Sequence, residues 1–248
     1  HEQNSVAGTT NRWLAPLARR VLCGLSGRFA TTHRAEVVGN PVRDELQSID
    51  RQELDGLDRF SAERPMRLLV LGGSLGAAPL NALLPQVVDV LRARGADESL
   101  TVWQQCGQRN RSEADEAWAS SPFQHLRCDD YIDDMASAYA WADVVIARAG
   151  ALTVSELAQT GTASILIPLP HAIDDHQTVN ARVLEACGAA VLMPQATTTP
   201  DTLADELEQW IASPSTLARM SVAAGAAAQK DATTRVAAVL MEVAHAAA

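Results

Sequence analysis

The chain has 248 residues, 47% of them apolar and 20% charged, with a formal net charge of −10 at pH 7. That length allows a substantial core in one large or two modest domains, and the composition excludes a disordered chain. The acidic balance argues against nucleic acid as the main partner, while leaving room for a small anion held by backbone amides and one or two Arg.

The chain starts at "HEQN" rather than at Met, with no charged n-region or apolar h-region, and reads as a piece of a longer protein. "NRWLAPLARRVLCGL" carries apolar residues at helical spacing and predicts a helix ending near Gly24. "AEVVGNPVR" predicts a short strand running into a turn, because Asn40-Pro41 cannot continue regular structure. Residues 44–65 are polar and charged and suit a surface linker with some helix.

From Met66 the pattern becomes a steady alternation. "MRLLVLGG", "SLTVWQQCG", "QHLRCDDYI", "ADVVIARAG", "TASILIPLP" and "AAVLMPQ" read as strands. "AAPLNALLPQVVDVLRARG", "NRSEADEAWASS", "DDMASAYAWA", "LTVSELAQTG" and "DDHQTVNARVLEACG" read as the intervening helices. From about Pro200 onward the chain reads as helical, with a break at Ser213-Pro214. The apolar runs are strand-sized, short of the roughly 20 residues of a membrane-spanning helix. Cys23, Cys106, Cys128 and Cys187 are far apart, form no C-x-x-C pair, and are expected to be core or near-core thiols in a reducing compartment. The fold class is therefore α/β, a parallel sheet with helices on both faces, and ligands of such sheets bind at the strand-to-helix turns.

Four turns carry candidate chemistry. In "GGSLGAAPLN" the glycines and the Ser74 hydroxyl suit a close backbone approach to phosphate, but G-G-S-x-G lacks the phosphate-loop Lys and the G-x-G-x-x-G spacing, so a tight strand–helix turn explains it as well. In "ARAGALTVSE" the amides of Ala151, Leu152 and Thr153 open a helix and suit a diphosphate, with Glu156 accepting from sugar hydroxyls. Thr153 and Glu156 also fit a capping box, and the two readings compete for Glu156. The carboxylates of "CDDYIDDM" suit a general acid/base pair or, more simply, an Asp133 or Asp134 helix cap, with Tyr131 and Ile132 offering a flat face and backbone groups to a base. In "PLPHAIDDHQTVNA", His171, Asp174, Asp175 and His176 resemble metal ligands by type but not by spacing; Gln177 and Asn180 suit a polar sugar pocket better.

Taken in order, "HEQN", "GNPVR", "GGSLGA…LN", "YIDDM", "RAGALTVSE" and "DDHQ…NA" closely resemble the MurG family of bacterial peptidoglycan N-acetylglucosaminyltransferases, distinctly from His1 to about Gln195. The resemblance implies a two-domain GT-B fold with the nucleotide sugar in the cleft. It implies inverting transfer of N-acetylglucosamine from UDP-GlcNAc to the C4 hydroxyl of undecaprenyl-diphospho-N-acetylmuramoyl-pentapeptide, at the cytoplasmic face of the inner membrane. It calls for no metal and no cofactor. Residue by residue, it implies Asn4 at the donor sugar, Arg43 near the nucleotide, Ser74 at the diphosphate, and Ile132 on uracil through its backbone with Tyr131 beside it. Ala151, Leu152, Thr153, Val154, Ser155 and Glu156 would line phosphates and ribose, and Gln177 would meet the GlcNAc hydroxyls.

On this basis residues 1–43 are expected to be the tail of an N-terminal acceptor domain, 44–65 a linker, and 66–248 the UDP-sugar-binding domain, with the last helices as candidates for packing back on the first domain. The acceptor site and membrane-docking patch are expected outside this sequence, and no residue is assigned as catalytic base. Alternatives are a different GT-B UDP-sugar enzyme, a donor-binding subunit completed by a separate chain, and a plain dinucleotide-binding domain.

Overall fold

The computed structural model describes residues 1–33, 35–49, 59–61, 63–73, 77–170 and 175–245. Helix α1 spans Thr9–Leu14 and is followed by one 3-10 turn, Ala15–Leu17, then by strand β1, Leu22–Cys23. The helix expected to run to Gly24 therefore stops ten residues earlier: Pro16 has no N–H to give and crowds the preceding turn. Beyond it, Leu22 and Cys23 pair in parallel with Glu36 and Val37 of β2, and Glu2 bridges to Cys23. Helix α2, Arg28–Thr32, connects the two strands. The helical apolar spacing of α1 does not mark a core face, because Trp13 and Leu17 stand 79% and 84% exposed.

Helix α3, Asp44–Gln47, opens the stretch expected to be a surface linker. Two of that stretch's described side chains are buried instead, Leu46 in an apolar cluster with Leu25 and Arg59 against Ala140 and Ala142.

The main sheet is built from β3 (Met66–Leu71), β4 (Leu100–Gln105), β5 (Leu126–Asp129), β6 (Val144–Ala147), β7 (Ala163–Leu166) and β8 (Ala190–Leu192). All neighbours are parallel, in the order β5-β4-β3-β6-β7-β8. Counted within this sheet the order is 3-2-1-4-5-6, the doubly wound arrangement of dinucleotide-binding folds. The helices between and after these strands are α4 (Ala78–Ala93), α5 (Arg111–Ala119), α6 (Met135–Trp141), α7 (Ala151–Gln159), α8 (His176–Glu185), α9 (Pro200–Ala212), α10 (Pro214–Ala226) and α11 (Ala232–His245). Among the described residues no helix is long and apolar enough to cross a membrane.

Period-two alternation splits each strand between two cores. Leu68, Val70, Val144 and Ile146 face α4 and α9, while Leu69, Leu71, Val145 and Ala147 face α6, α7 and α8. On α9, Leu203, Leu207 and Trp210 recur at helical spacing and are fully buried, each contributing about 1.5–3 kcal/mol of transfer free energy. Of the described buried polar side chains, that of Ser164 on β7 has no hydrogen-bond partner for its hydroxyl, whereas those of Asn81, Gln104 and Trp118 form a paired chain. Asn81 Nδ2 donates to the Cys106 carbonyl at 2.9 Å, Gln104 Nε2 to Asn81 Oδ1 at 2.8 Å, and Trp118 Nε1 to Gln104 Oε1 at 2.8 Å. At the amino ends of β3 and β6, buried Asp143 accepts from the Arg67 amide and both Arg64 Nη atoms at 2.8–2.9 Å, with Arg59 Nε at 3.5 Å.

The thiols depart partly from expectation. Cys23 and Cys106 are buried, but Cys187 is exposed. Burial and the neighbouring Cys106 push the Cys128 thiol up to about 12, which makes it a poor nucleophile.

Candidate functional site

Strand order reverses between β3 and β6, so the crevice of this sheet opens at their carboxyl ends. A cleft of about 470 Å³ lies there, with Leu71 and Gly73 from the β3 end and Ala147 and Arg148 from the β6 end on its wall. Gly73 has φ +75°, a conformation that favours glycine. Ser74, its neighbour, lies outside the described residues.

One wall of the cleft is the first turn of α7. Gly150 is its N-cap, and the first helical bond runs from the Val154 N–H to the Gly150 carbonyl at 2.9 Å. The amides of Ala151, Leu152 and Thr153 therefore make no intrahelical bond, and the positive end of the helix dipole faces the opening. The capping-box reading fails because the helix starts too early for it. Thr153 is the third helical residue rather than the cap, and no side chain caps the helix.

Glu156 is directed into the cleft. Its Oε2 accepts from Tyr139 Oη at 3.0 Å, and Arg43 Nη2 is 3.8 Å from Oε1. Burial raises its carboxyl above the ordinary value, opposed by the Tyr139 hydrogen bond and the Arg43 charge. Arg43 also stands 3.6 Å from Glu45.

Arg43, Tyr131, Ile132, Leu152, Thr153 and Glu156, six of the residues singled out from the sequence, line this one cleft. Residues 152, 153 and 156 fall on one side of α7, as 100° per residue requires, so Val154 and Ser155 do not join them. Val154 is in the core, and Ser155 Oγ donates to the Ala151 carbonyl at 2.9 Å while accepting from Asn40 Nδ2 at 3.0 Å. Ala151 is buried, so that its contribution to this wall is its amide.

Asn4 and Gln177 stand outside the lining of the cleft. Asn4 Oδ1 accepts from buried Asn180 Nδ2 at 3.0 Å, and the same amide reaches the Ala149 carbonyl at 3.2 Å. Asn4 is thus tied to the turn that starts α7, and Asn180, expected to line a sugar pocket, is spent on that tie. Gln177 Oε1 accepts from the Leu169 amide at 2.9 Å.

The acidic run has structural partners. Asp134 caps α6, accepting from Ser137 N at 2.9 Å and Ser137 Oγ at 2.6 Å, and those bonds hold its carboxyl below the ordinary value. Asp129 accepts from Trp103 Nε1, and Asp130 from Arg111. This favours the capping reading over a general acid/base pair. His171 and Asp174 lie outside the described residues, and no cluster of three or more metal-ligating side chains occurs among the described ones.

Sequence reasoning missed Arg148, Gln105 and Met135 on the wall, with Pro41 and Val42. Arg148 Nη1 donates to the carbonyls of Ile167 at 3.0 Å and Pro168 at 3.1 Å, and Nη2 donates to Gln195 Oε1 at 2.6 Å. The signal was its position, an Arg directly before the Ala-Gly turn of a strand-to-helix crossover. Chemically, the cleft offers amides and the Arg43 guanidinium to an anion, a half-buried acceptor carboxylate to hydroxyls, and an apolar rim at Ile132 and Met135 to a flat ring.

Residues 67–236 match the family model described as glycosyltransferase family 28 C-terminal domain. The chain is 44% identical over 236 residues to a protein of Tolumonas auensis and 47% identical over 242 residues to one of Chromohalobacter salexigens. Both are named UDP-N-acetylglucosamine--N-acetylmuramyl-(pentapeptide) pyrophosphoryl-undecaprenol N-acetylglucosamine transferase. The alignments take in 95% and 98% of this chain and 64% of each relative, so the chain spans under two thirds of their length. The crystal structure of Acinetobacter baumannii MurG superimposes with a TM-score of 0.83 at 36% identity, over 98% of this chain and 65% of that one. The sheet thus has the GT-B nucleotide-sugar-domain architecture expected of it. The chain belongs to glycosyltransferase family 28 and carries that family's C-terminal domain.

Proposed function

We propose that this chain is the donor-binding part of an inverting N-acetylglucosaminyltransferase that moves GlcNAc from UDP-GlcNAc to undecaprenyl-diphospho-N-acetylmuramoyl-pentapeptide in peptidoglycan synthesis. The observation that carries the proposal is the pairing, on one wall of the switch-point cleft, of the open amides of α7 with the Glu156 carboxylate. A diphosphate takes the amides and the helix dipole; ribose hydroxyls take Glu156, which as a carboxylate accepts two donors at once. Uracil rests at Ile132 and Tyr131, Ser74 joins the diphosphate, Arg43 stands by the nucleotide, and Asn4 and Gln177 serve the GlcNAc end.

The identities to named transferases support this substrate class. The acceptor site and the catalytic base belong, in this reading, to the share of the relatives' length that this chain does not span. The same holds for contact with the cytoplasmic face of the inner membrane. No metal or cofactor enters the proposal: backbone amides and the Arg43 guanidinium supply the positive charge facing the leaving diphosphate.

Calorimetric titration of this 248-residue chain with UDP-GlcNAc, UDP and NAD tests the reading. Binding of both uridine ligands without NAD supports it. Preference for NAD supports a dinucleotide-binding domain instead, and folded protein that binds neither uridine ligand sinks the proposal.

A further inference from the structure

Arg148 connects two parts of the candidate site that the sheet alone leaves separate. It follows β6 and precedes the Ala149-Gly150 turn that opens α7, yet its guanidinium reaches across to the ends of the next two strands. The carbonyls of Ile167 and Pro168 lie past the last paired residue of β7, Leu166, so no strand partner donates to them as in a ladder. Pro168 and Pro170 bring no N–H groups that would let this segment brace itself through a regular turn. Arg148 Nη1 satisfies both carbonyls, and Gln195 beyond β8 fixes the other arm of the fork at 2.6 Å.

The next residue along, Leu169, donates its amide to Gln177 Oε1 at 2.9 Å. Residues 167–169 are therefore a strap pinned at one end by Arg148 and at the other by Gln177. The pin on Gln177 engages one lone pair of its acceptor oxygen and orients the amide, whose two N–H groups are donors. Among the described residues Arg148 spends its fork on carbonyls and an amide, with no carboxylate in ion-pair range, and burial lowers its pKa while leaving it charged. A lysine at this position would keep the charge but not the geometry, because one ammonium cannot reproduce the planar fork that spans both carbonyls and Gln195.

We propose that Arg148 is a positioning residue for the sugar of the donor. By holding the 167–169 strap against the α7 turn, it sets where the Gln177 amide meets the sugar hydroxyls, and so sets the preference for UDP-GlcNAc over UDP. The inference rests on the donor-site reading above and deepens it.

The test is calorimetric titration of the full chain, Arg148→Lys, Gln177→Ala and the double variant with UDP and with UDP-GlcNAc. Arg148→Lys is expected to weaken UDP-GlcNAc by about tenfold and UDP by under about threefold, the scale of one lost hydrogen bond to a charged or well-placed group. Gln177→Ala is expected to give the same pattern. The double variant then loses little more than either single one, because both act through one contact. Retention of UDP affinity by the lysine is the readout that a merely structural role would not give.

Equal losses for both ligands, an unchanged preference, or additive losses in the double variant overturn the proposal. If Arg148→Lys loses its near-ultraviolet dichroism, Gln195→Ala replaces it. That variant removes one arm's partner and is expected to reduce the preference by about threefold, an unchanged preference again overturning the idea. Absence of UDP binding by the unsubstituted chain defeats the donor-site reading itself, whereas UDP binding with a preference blind to these substitutions defeats only the role of Arg148.

Discussion

Tyr139 on α6 donates a 3.0 Å hydrogen bond to Glu156 on α7, and so holds a half-buried carboxylate in the cleft before any ligand arrives. Tyr139 is itself fully buried, which fixes the direction of the bond. A pre-held acceptor loses little side-chain entropy when hydroxyls replace water around it. Glu156→Ala is accordingly expected to weaken UDP by about tenfold or more, measured by titration, since it deletes charge-assisted bonds. Tyr139→Phe is expected to weaken it by about two- to fivefold through loss of orientation alone.

The same carboxylate gives a pH prediction. Because burial raises its pKa in the folded chain, the native state holds the proton more tightly than the unfolded state does. Its contribution to stability is full below the unfolded value and is lost as pH rises through the folded one. At neutral pH an ionised Glu156 therefore costs stability, and Glu156→Gln is expected to raise the melting temperature while weakening UDP. UDP affinity is expected to fall as pH drops through the Glu156 pKa, and that fall is expected to flatten in Glu156→Gln. A Gln variant that melts lower at pH 7 would contradict this account.

Asp143 is the anchor at the other end of the sheet. Asp143→Ala removes the buried carboxylate that faces both the Arg59 and the Arg64 guanidinium groups. A loss of about 3–5 kcal/mol is expected in urea denaturation, as for breaking one side of a buried ion pair. UDP affinity measured on the folded fraction is expected to stay within about twofold, since the site lies at the opposite strand ends.

Asn81→Ala probes the polar chain under α4. It strands the Gln104 Nε2 group inside the core and leaves the Cys106 carbonyl only the longer bond from Asn110 Nδ2 at 3.3 Å. The expected cost is about 1–3 kcal/mol in urea denaturation, and Asn81→Leu is not expected to recover it, because the Gln104 Nε2 group remains unpaired.

Most of the sheet was legible because its strands are continuous apolar runs separated by helix-length segments. The Ser213-Pro214 break fell where the chain passes from α9 to α10. What was not legible depends on partners distant in sequence. Val21-Leu22-Cys23 has the same local look as the end of a helix, and only pairing with Glu36 and Val37 makes it a strand. Leu46 sits in a polar stretch whose burial is decided by Leu25 and its neighbours.

The site divides in the same way. The Gly-containing turn before Leu152 and the isolated carboxylate at Glu156 were visible as types at a spacing. That Glu156 opposes Tyr139 rather than closing its own helix follows from the helix starting at Ala151, a boundary that local propensity places only within a few residues. Arg148 was visible as a letter, but its partners at residues 167, 168 and 195 arise from strand neighbours β7 and β8.

The most direct measurement of the central claim is the crystal structure of this chain soaked with UDP-GlcNAc. The account predicts the diphosphate at the amides of Ala151, Leu152 and Thr153, ribose hydroxyls on Glu156, and uracil against the Ile132 backbone. A nucleotide bound elsewhere, or a diphosphate in the cleft that leaves the α7 amides to water, would contradict it.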